Sequence, residues 1–104
     1  MKILKDLIEK ANDTMEEVEW YAEKAHHLRS THKDLADTYI KIAEMHVDIY
    51  KALHARAVAL IEEEKKKGVP VPAAMTAIWE YEHERLIKDF SAAKILIEEY
   101  HKAY

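Results

Sequence analysis

Glycine occurs once in the 104 residues of this chain and proline twice, and all three lie between residues 68 and 72. Tight turns depend on these residues, so the chain cannot form the many turns of a β-rich protein. Elsewhere, apolar residues recur at spacings of three and four, which is typical of amphipathic α-helices. The sequence therefore predicts an all-α fold.

Two interruptions divide the chain into three predicted helices. At the first corner, Thr31 is a good N-cap for the second helix, with Asp34 three residues later. At the second corner, Gly68 suits the C-terminal cap, and an extended Val-Pro-Val-Pro link follows it. Short corners favour antiparallel neighbours, so we expect an up-down-up three-helix bundle. The predicted single domain covers 1–104, with helices over about 2–29, 32–67 and 72–102.

The first helix has an unbroken apolar stripe that continues through Asn12-Asp13-Thr14, so we expect one helix there although Thr14 and Glu17 could form a capping box. Its stripe comprises Leu4, Leu7, Ile8, Ala11, Met15, Val18, Ala22, Ala25 and Leu28.

The second helix has more apolar residues than one stripe needs. Apolar residues on several sides predict that this helix is the middle of the bundle. Its main stripe comprises Leu35, Tyr39, Ile42, Ala43, His46, Ile49, Tyr50, Leu53, Ala57, Leu60 and Ile61. Two neighbours cannot cover it fully, so we expect homodimerisation to complete the bundle. The predicted interface residues are Trp20, Met45, Ala52, Ala59, Tyr81 and Ile95.

Ionisable residues interrupt the predicted apolar stripes and need partners if they are buried. The structural interpretation is a contact that fixes helix register, with Glu82 meeting His54 or Arg56, and His46 meeting Asp89, a tyrosine or Glu19. The functional interpretation is a metal site. Two Glu-x-x-His pairs, Glu23 with His26 and Glu80 with His83, match the spacing of di-iron carboxylate bundles. Corner positions place those two pairs about 30 Å apart in one chain, so a metal site needs two copies. The candidate metal ligands are Glu23, His26, His46, Glu80, Glu82 and His83.

Composition argues against several other functions. There is no cysteine for disulfides or thiolate chemistry, and the net charge of -4 argues against a nucleic-acid partner. No stretch is apolar enough to predict a membrane span or a signal peptide, so we expect a cytoplasmic protein. One glycine cannot build a phosphate-binding loop, and no nucleophile motif is present. We therefore favour a protein that is not an enzyme, and the sequence leaves that question open.

Segment 35–43, the dipeptide Leu53-His54, segment 58–61, the proline-containing link and Tyr81-x-His83 together resemble small uncharacterised helical proteins encoded by bacteriophages and prophages of Firmicutes. The resemblance spans most of the chain and contains no catalytic motif. It implies a phage accessory protein that acts in the bacterial host cell or within the particle.

These observations lead to one principal hypothesis and one alternative. The first is a non-enzymatic helical interaction module that self-associates, and that could also bind another protein, with no cofactor expected. The alternative is a ferritin-like helical bundle that binds iron, manganese or zinc through Glu-x-x-His pairs across a dimer.

Overall fold

The structure, a computed structural model, describes residues 2–68 and 73–103. Three α-helices account for almost all of them: α1 (Lys2–Leu28), α2 (Lys33–Lys66) and α3 (Ala73–Ala103). The described residues contain no β-strand. The all-helical prediction is confirmed, and each predicted helix end lies within one residue of the observed end. The predicted link over 69–72, including Pro72, lies outside the described residues.

Helix α1 is continuous, as its unbroken stripe predicts. Its buried residues are Leu4, Ile8, Ala11, Thr14, Met15, Val18, Ala22 and Ala25. Thr14 does not start a new helix, because its hydroxyl donates a hydrogen bond to the Lys10 carbonyl one turn back, at 2.7 Å. This bond satisfies the hydroxyl inside the helix, where it is largely buried.

The prediction that Thr31 caps α2 was wrong. The N-cap residue is His32, and no side chain caps the first turn. Thr31 instead lies in the turn after α1, where its amide and that of His32 both donate to the Leu28 carbonyl, at 3.1 and 2.7 Å. The corner is thus closed by the backbone of the preceding helix.

The end of α2 agrees with the sequence prediction for Gly68. This residue has φ +67, a left-handed conformation that glycine adopts without strain. The Lys67 amide donates to the Glu63 carbonyl, and the Gly68 amide donates to the Lys65 carbonyl. These bonds satisfy carbonyl groups that the end of a helix leaves unpaired.

The buried face of α2 matches the predicted main stripe in part, at Ala43, Tyr50, Ala57 and Ile61, and α2 is not the middle helix. Its buried residues are Ala36, Ile40, Ala43, Tyr50, Ala57 and Ile61, whereas Leu35 and Ile49 are exposed. Helix α1 packs along both other helices, while the backbones of α2 and α3 approach closely at few places. Ala36 and Ala43 are fully buried, and such small side chains let two helix backbones approach closely through this face.

The molecule is elongated, with principal extents of 56 × 18 × 17 Å and a radius of gyration of 16.4 Å. A compact domain of this length has a radius of gyration of about 13 Å. Two apolar clusters fill the interior along its length. The larger joins all three helices around Val18 and Leu86, and the smaller surrounds Leu4 and Ala57.

The burial pattern predicts a large difference between two isoleucines. Ile40 is 1% exposed and Ile87 is 48% exposed. Replacing Ile40 with alanine removes buried methylene groups and leaves a cavity, so the free energy of unfolding should fall by about 2–5 kcal/mol. Ile87→Ala is the matched control and should change it by less than about 1 kcal/mol. Urea denaturation followed by circular dichroism measures both, and equal losses would contradict the assigned core.

Candidate functional site

Helix α2 carries a second apolar stripe on the side that α1 and α3 leave uncovered, here called the outer stripe. Met45 is 56% exposed, and Ile49 and Leu35 are also exposed. Ala52 is exposed, and Ile42 and Ala59 are half-buried. Successive members lie three, four or seven residues apart, so they share one face of the helix. The outer stripe comprises Leu35, Ile42, Met45, Ile49, Ala52 and Ala59.

An aromatic cluster lies beside the first half of this stripe. The Trp20 ring lies 5.0 Å from Tyr21 and 5.7 Å from Tyr39, measured between ring centroids. The Lys24 amino group lies 5.7 Å from the Trp20 centroid, within range of a cation–π interaction. Trp20 is nevertheless 47% exposed. Its ring is therefore held in place by neighbours while one side remains open to solvent.

Helix α3 exposes two further predicted interface residues. Tyr81 is 67% exposed, and Ile95 is exposed as well. They lie on α3 and therefore do not belong to the outer stripe of α2. Their role in an interface remains a prediction.

The structure disperses the predicted metal ligands. Glu23 and Glu80 are exposed. His26 contacts the Leu96 carbonyl, and this carbonyl is 13 residues after His83, which corresponds to about 20 Å along α3. Among residues 2–68 and 73–103, no three acidic, histidine or cysteine side chains form a group able to hold a metal ion.

Glu82 does not meet His54 or Arg56, so that predicted pairing was wrong. Its carboxylate accepts hydrogen bonds from Arg85, at 2.7 Å, and from the Asn12 side chain of α1, at 3.1 Å. Arg85 also donates to the Asn12 carbonyl oxygen at 2.6 Å. The Arg85 hydrogen bond, the largest influence, lowers the pKa of Glu82. This cluster fixes α3 against α1.

Sequence reasoning did not select Asn12, because a lone asparagine in a helix forms no pattern that predicts a partner on another helix. Its position shows that the polar interruption in α1 faces α3.

His46 meets a tyrosine, one of the predicted partners. Its ring stacks on Tyr21 with the centroids 5.6 Å apart, and its Nδ1 lies 2.9 Å from the Ile42 carbonyl of the preceding turn. A surface groove beside it is lined by His46, Ile49 and acidic residues of α1 that include Asp13 and Glu17. His46 thus links the aromatic cluster to the outer stripe.

A polar cluster at the α1–α2 corner joins α2 to the end of α3. The Tyr100 hydroxyl donates to the Asp37 carboxylate, which also accepts from Lys33 at 3.1 Å. The Tyr100 hydrogen bond, followed by that of Lys33, lowers the pKa of Asp37, and burial together with Asp37 raises the pKa of Tyr100 to about 12. A buried tyrosine hydroxyl needs a partner, but helical spacing in the sequence could not identify Asp37 as that partner.

A shallow pocket adjoins this corner cluster and is lined by Lys33, Asp37, Ile40, Lys41, Tyr100 and His101. The Asp37 carboxylate in this pocket already accepts hydrogen bonds from Lys33 and Tyr100. His101 Nε2 lies 2.7 Å from a Glu44 carboxylate oxygen. These contacts give the pocket a structural role in joining the helix ends.

No protein-family model, curated protein or solved structure matches the chain. Within the described residues, no helix combines the length and the apolar character needed to cross a bilayer.

The corner cluster predicts the titration of Tyr100. We expect its hydroxyl to ionise at about pH 12, above the ordinary value of 10.0, in a nuclear magnetic resonance titration of labelled tyrosines. Asp37→Asn should lower this pKa because the acceptor charge is lost, while burial keeps it above the ordinary value. Tyr100→Phe assigns the signal, and Asp34→Asn, an exposed carboxylate on the same helix, is the control. Titration of Tyr100 together with exposed tyrosines in the unmodified protein would contradict the assignment.

Proposed function

We propose that this chain is a non-enzymatic helical interaction module that self-associates through the outer stripe of α2. The observation that carries the proposal is a second apolar stripe on a helix whose first stripe is already buried. A single helix with two apolar stripes is typical of one packed on two sides. Within residues 2–68 and 73–103 of one chain, only one of those sides is covered.

We further propose that the three helices form an antiparallel up-down-up unit. Contacts that support this arrangement pair Tyr21 with His46 and Asn12 with Glu82, and group Leu4 with Ala57 and Ile61. Early residues of α1 thus lie near late residues of α2, and α1 and α3 follow each other in the same direction. The outer stripe is then one continuous ridge along the length of the unit.

The occupant that fits this ridge is a second copy of α2 in antiparallel orientation. The stripe begins with large side chains and ends with two alanines, so reversing the second copy places the large residues Leu35 and Ile42 against alanines. Interdigitation of large and small side chains gives dense helix packing. With the two-fold axis near residue 47, Leu35 faces Ala59, Ile42 faces Ala52, and Met45 faces Ile49.

Trp20 lies at the edge of this proposed interface. The Trp20 ring packs on Tyr39. An antiparallel second copy would therefore bring the second half of its own outer stripe, with Ala52 and Ala59, next to this ring. Tryptophan, tyrosine and methionine are enriched in protein interfaces, and buried tryptophans often contribute much of the binding energy. Because neighbouring rings already hold Trp20, association orders few additional side-chain torsions.

Sedimentation equilibrium tests this proposal through Met45. The unmodified chain should sediment as a dimer at tens of micromolar, and Met45→Glu should shift it to monomer because two carboxylates would be buried near the two-fold axis. Lys5→Glu introduces the same side chain at an exposed position of α1 and should leave the dimer intact. A monomeric unmodified chain at several hundred micromolar would overturn the proposal.

The Met45→Glu protein must also keep its fold for the test to be decisive. Its helical circular dichroism should match that of the unmodified protein, because residue 45 is exposed within one chain. Ile49→Glu, at another exposed position of the same stripe, should give the same dissociation.

The ferritin-like alternative stays a prediction, as does the bacteriophage setting. Elemental analysis of untagged protein purified without chelator tests the metal alternative, which needs about one or more equivalents of iron, manganese or zinc per chain. Co-purification with virions tests the setting.

A further inference from the structure

One cation lies on the outer stripe of α2. Arg56 is exposed and comes four residues after Ala52 and three before Ala59, so it shares their face of the helix. Its neighbours on adjacent turns are these two alanines, Leu53 and Leu60, and none of them is acidic. Within the described residues, Arg56 forms no hydrogen bond, ion pair or ring contact. Its guanidinium is therefore available to a group of another molecule.

Two ion pairs within the chain show what Arg56 lacks. Lys33 lies 3.1 Å from the carboxylate of Asp37, four residues later, and Arg85 lies 2.7 Å from that of Glu82, three residues earlier. Arginine is enriched in protein interfaces, where its planar guanidinium stacks on aromatic rings and pairs with carboxylates. An arginine amid apolar residues and without a carboxylate of its own is thus typical of an interface.

The surroundings of Trp20 on α1 have the opposite charge. On the adjacent turns of the helix, Trp20 has three exposed carboxylates, Glu16, Glu17 and Glu23, and one lysine, Lys24. The Lys24 amino group lies 5.7 Å from the ring centroid, and the ring is still 47% exposed. Tryptophan is the aromatic residue that binds cations best. This ring therefore offers a further cation an open surface beside an excess of negative charge.

Glu16 and Glu17 also line the surface groove that borders the outer stripe at Ile49. The other charged residues of α1 in this groove are Asp13 and Lys10, so carboxylates outnumber cations there. A second copy packed on the outer stripe lies beside this acidic edge. A cation contributed by that copy would offset its negative charge.

The antiparallel dimer proposed above, on which this inference rests, brings the arginine and the ring together. With the two-fold axis near residue 47, Arg56 of one copy faces Thr38 of the other, next to the Tyr39 on which Trp20 packs. Side chains of a helix lean toward its N-terminus. In the reversed copy this direction runs toward Ile49 and the acidic groove of the other copy. The Arg56 side chain thus extends past the Trp20 ring toward the groove.

Arg56 also opposes the parallel arrangement. In a parallel pair, the two Arg56 side chains would meet at the same height across the two-fold axis, and like charges repel. In the antiparallel register they lie about 27 Å apart along the helix axis, a separation at which physiological salt screens most of the repulsion.

We propose that Arg56 of each copy holds the dimer together by packing its guanidinium on Trp20 of the other copy and pairing with Glu16 and Glu17 beside that ring. The two-fold axis produces this contact twice, once in each half of the interface. The two contacts fix the antiparallel orientation and the register of the apolar stripes.

Charge reversal followed by mixing tests the contact between copies. Arg56→Glu should be monomeric at concentrations where the unmodified chain is dimeric, because the new carboxylate faces Glu16 and Glu17. A Glu16→Lys/Glu17→Lys chain should also be monomeric, because Arg56 then meets two lysines. An equimolar mixture of the two chains should form dimers in sedimentation equilibrium at neutral pH, since both of its contacts pair opposite charges. A contact within one chain could not be restored by mixing.

A double-mutant cycle measures the part played by the ring. Arg56→Gln should raise the dissociation constant of the dimer roughly tenfold, because two cation–π contacts are lost, and should have a smaller effect in a Trp20→Leu background. Lys65→Gln removes a charge from an exposed position of α2 outside the outer stripe and should leave the constant unchanged. All of these positions are exposed, so helical circular dichroism should match that of the unmodified chain.

The outcomes separate this inference from the dimer itself. An unmodified dimer whose dissociation constant Arg56→Gln leaves unchanged, or a mixture of folded charge-reversed chains that stays monomeric, would overturn the role of Arg56 and leave the dimer standing. A monomeric unmodified chain at several hundred micromolar would overturn both.

Discussion

The packing of one continuous apolar stripe on α1 underlies the rest of this structure. Val18, Ala22 and Ala25 have no exposed surface, and the two alanines leave room for neighbouring helices to approach closely. Burying apolar surface is the main favourable contribution to folding, and here α1 packs along both other helices. Packing against α1 buries the face of α2 that carries Ala36 and Ala43 and leaves Leu35 and Ile49 exposed.

That choice of face leaves the larger apolar side chains of α2 outside. A helix bundle buries an amphipathic helix on one side, and an additional stripe needs another surface to cover it. The rings around Trp20 extend this uncovered region onto α1. The polar contacts, by contrast, lie within the single chain. Asn12, Asp37 and Glu82 each form a hydrogen bond to a side chain of another helix and so fix how the three helices pack. The apolar surplus supports association with a second copy, whereas the polar groups stabilise the single chain.

Sequence reasoning predicted the helices well because helix period and corner residues are local properties. The stripe of α1 and the glycine cap at residue 68 follow directly from neighbours along the chain. Sequence reasoning failed to predict features that depend on packing between helices. Two stripes of similar apolar character run along α2, and only contact with α1 selects the inner one. Two contacts, that of Glu82 with Asn12 and that of Tyr100 with Asp37, were missed because they join different helices over 70 and 63 residues. The predicted height of Glu82 near His54 needs only helix rise and corner positions, and the ring of the neighbouring His83 does lie 4.9 Å from that of His54.

Quenching of Trp20 as a function of protein concentration tests the central claim most directly, because this ring borders the proposed interface and is 47% exposed in a single chain. In a Trp79→Phe background, Trp20 is the only tryptophan left. At neutral pH, we predict that acrylamide quenches it weakly at high concentration and more strongly as dilution separates the two copies. Strong quenching that stays constant up to several hundred micromolar would contradict the account.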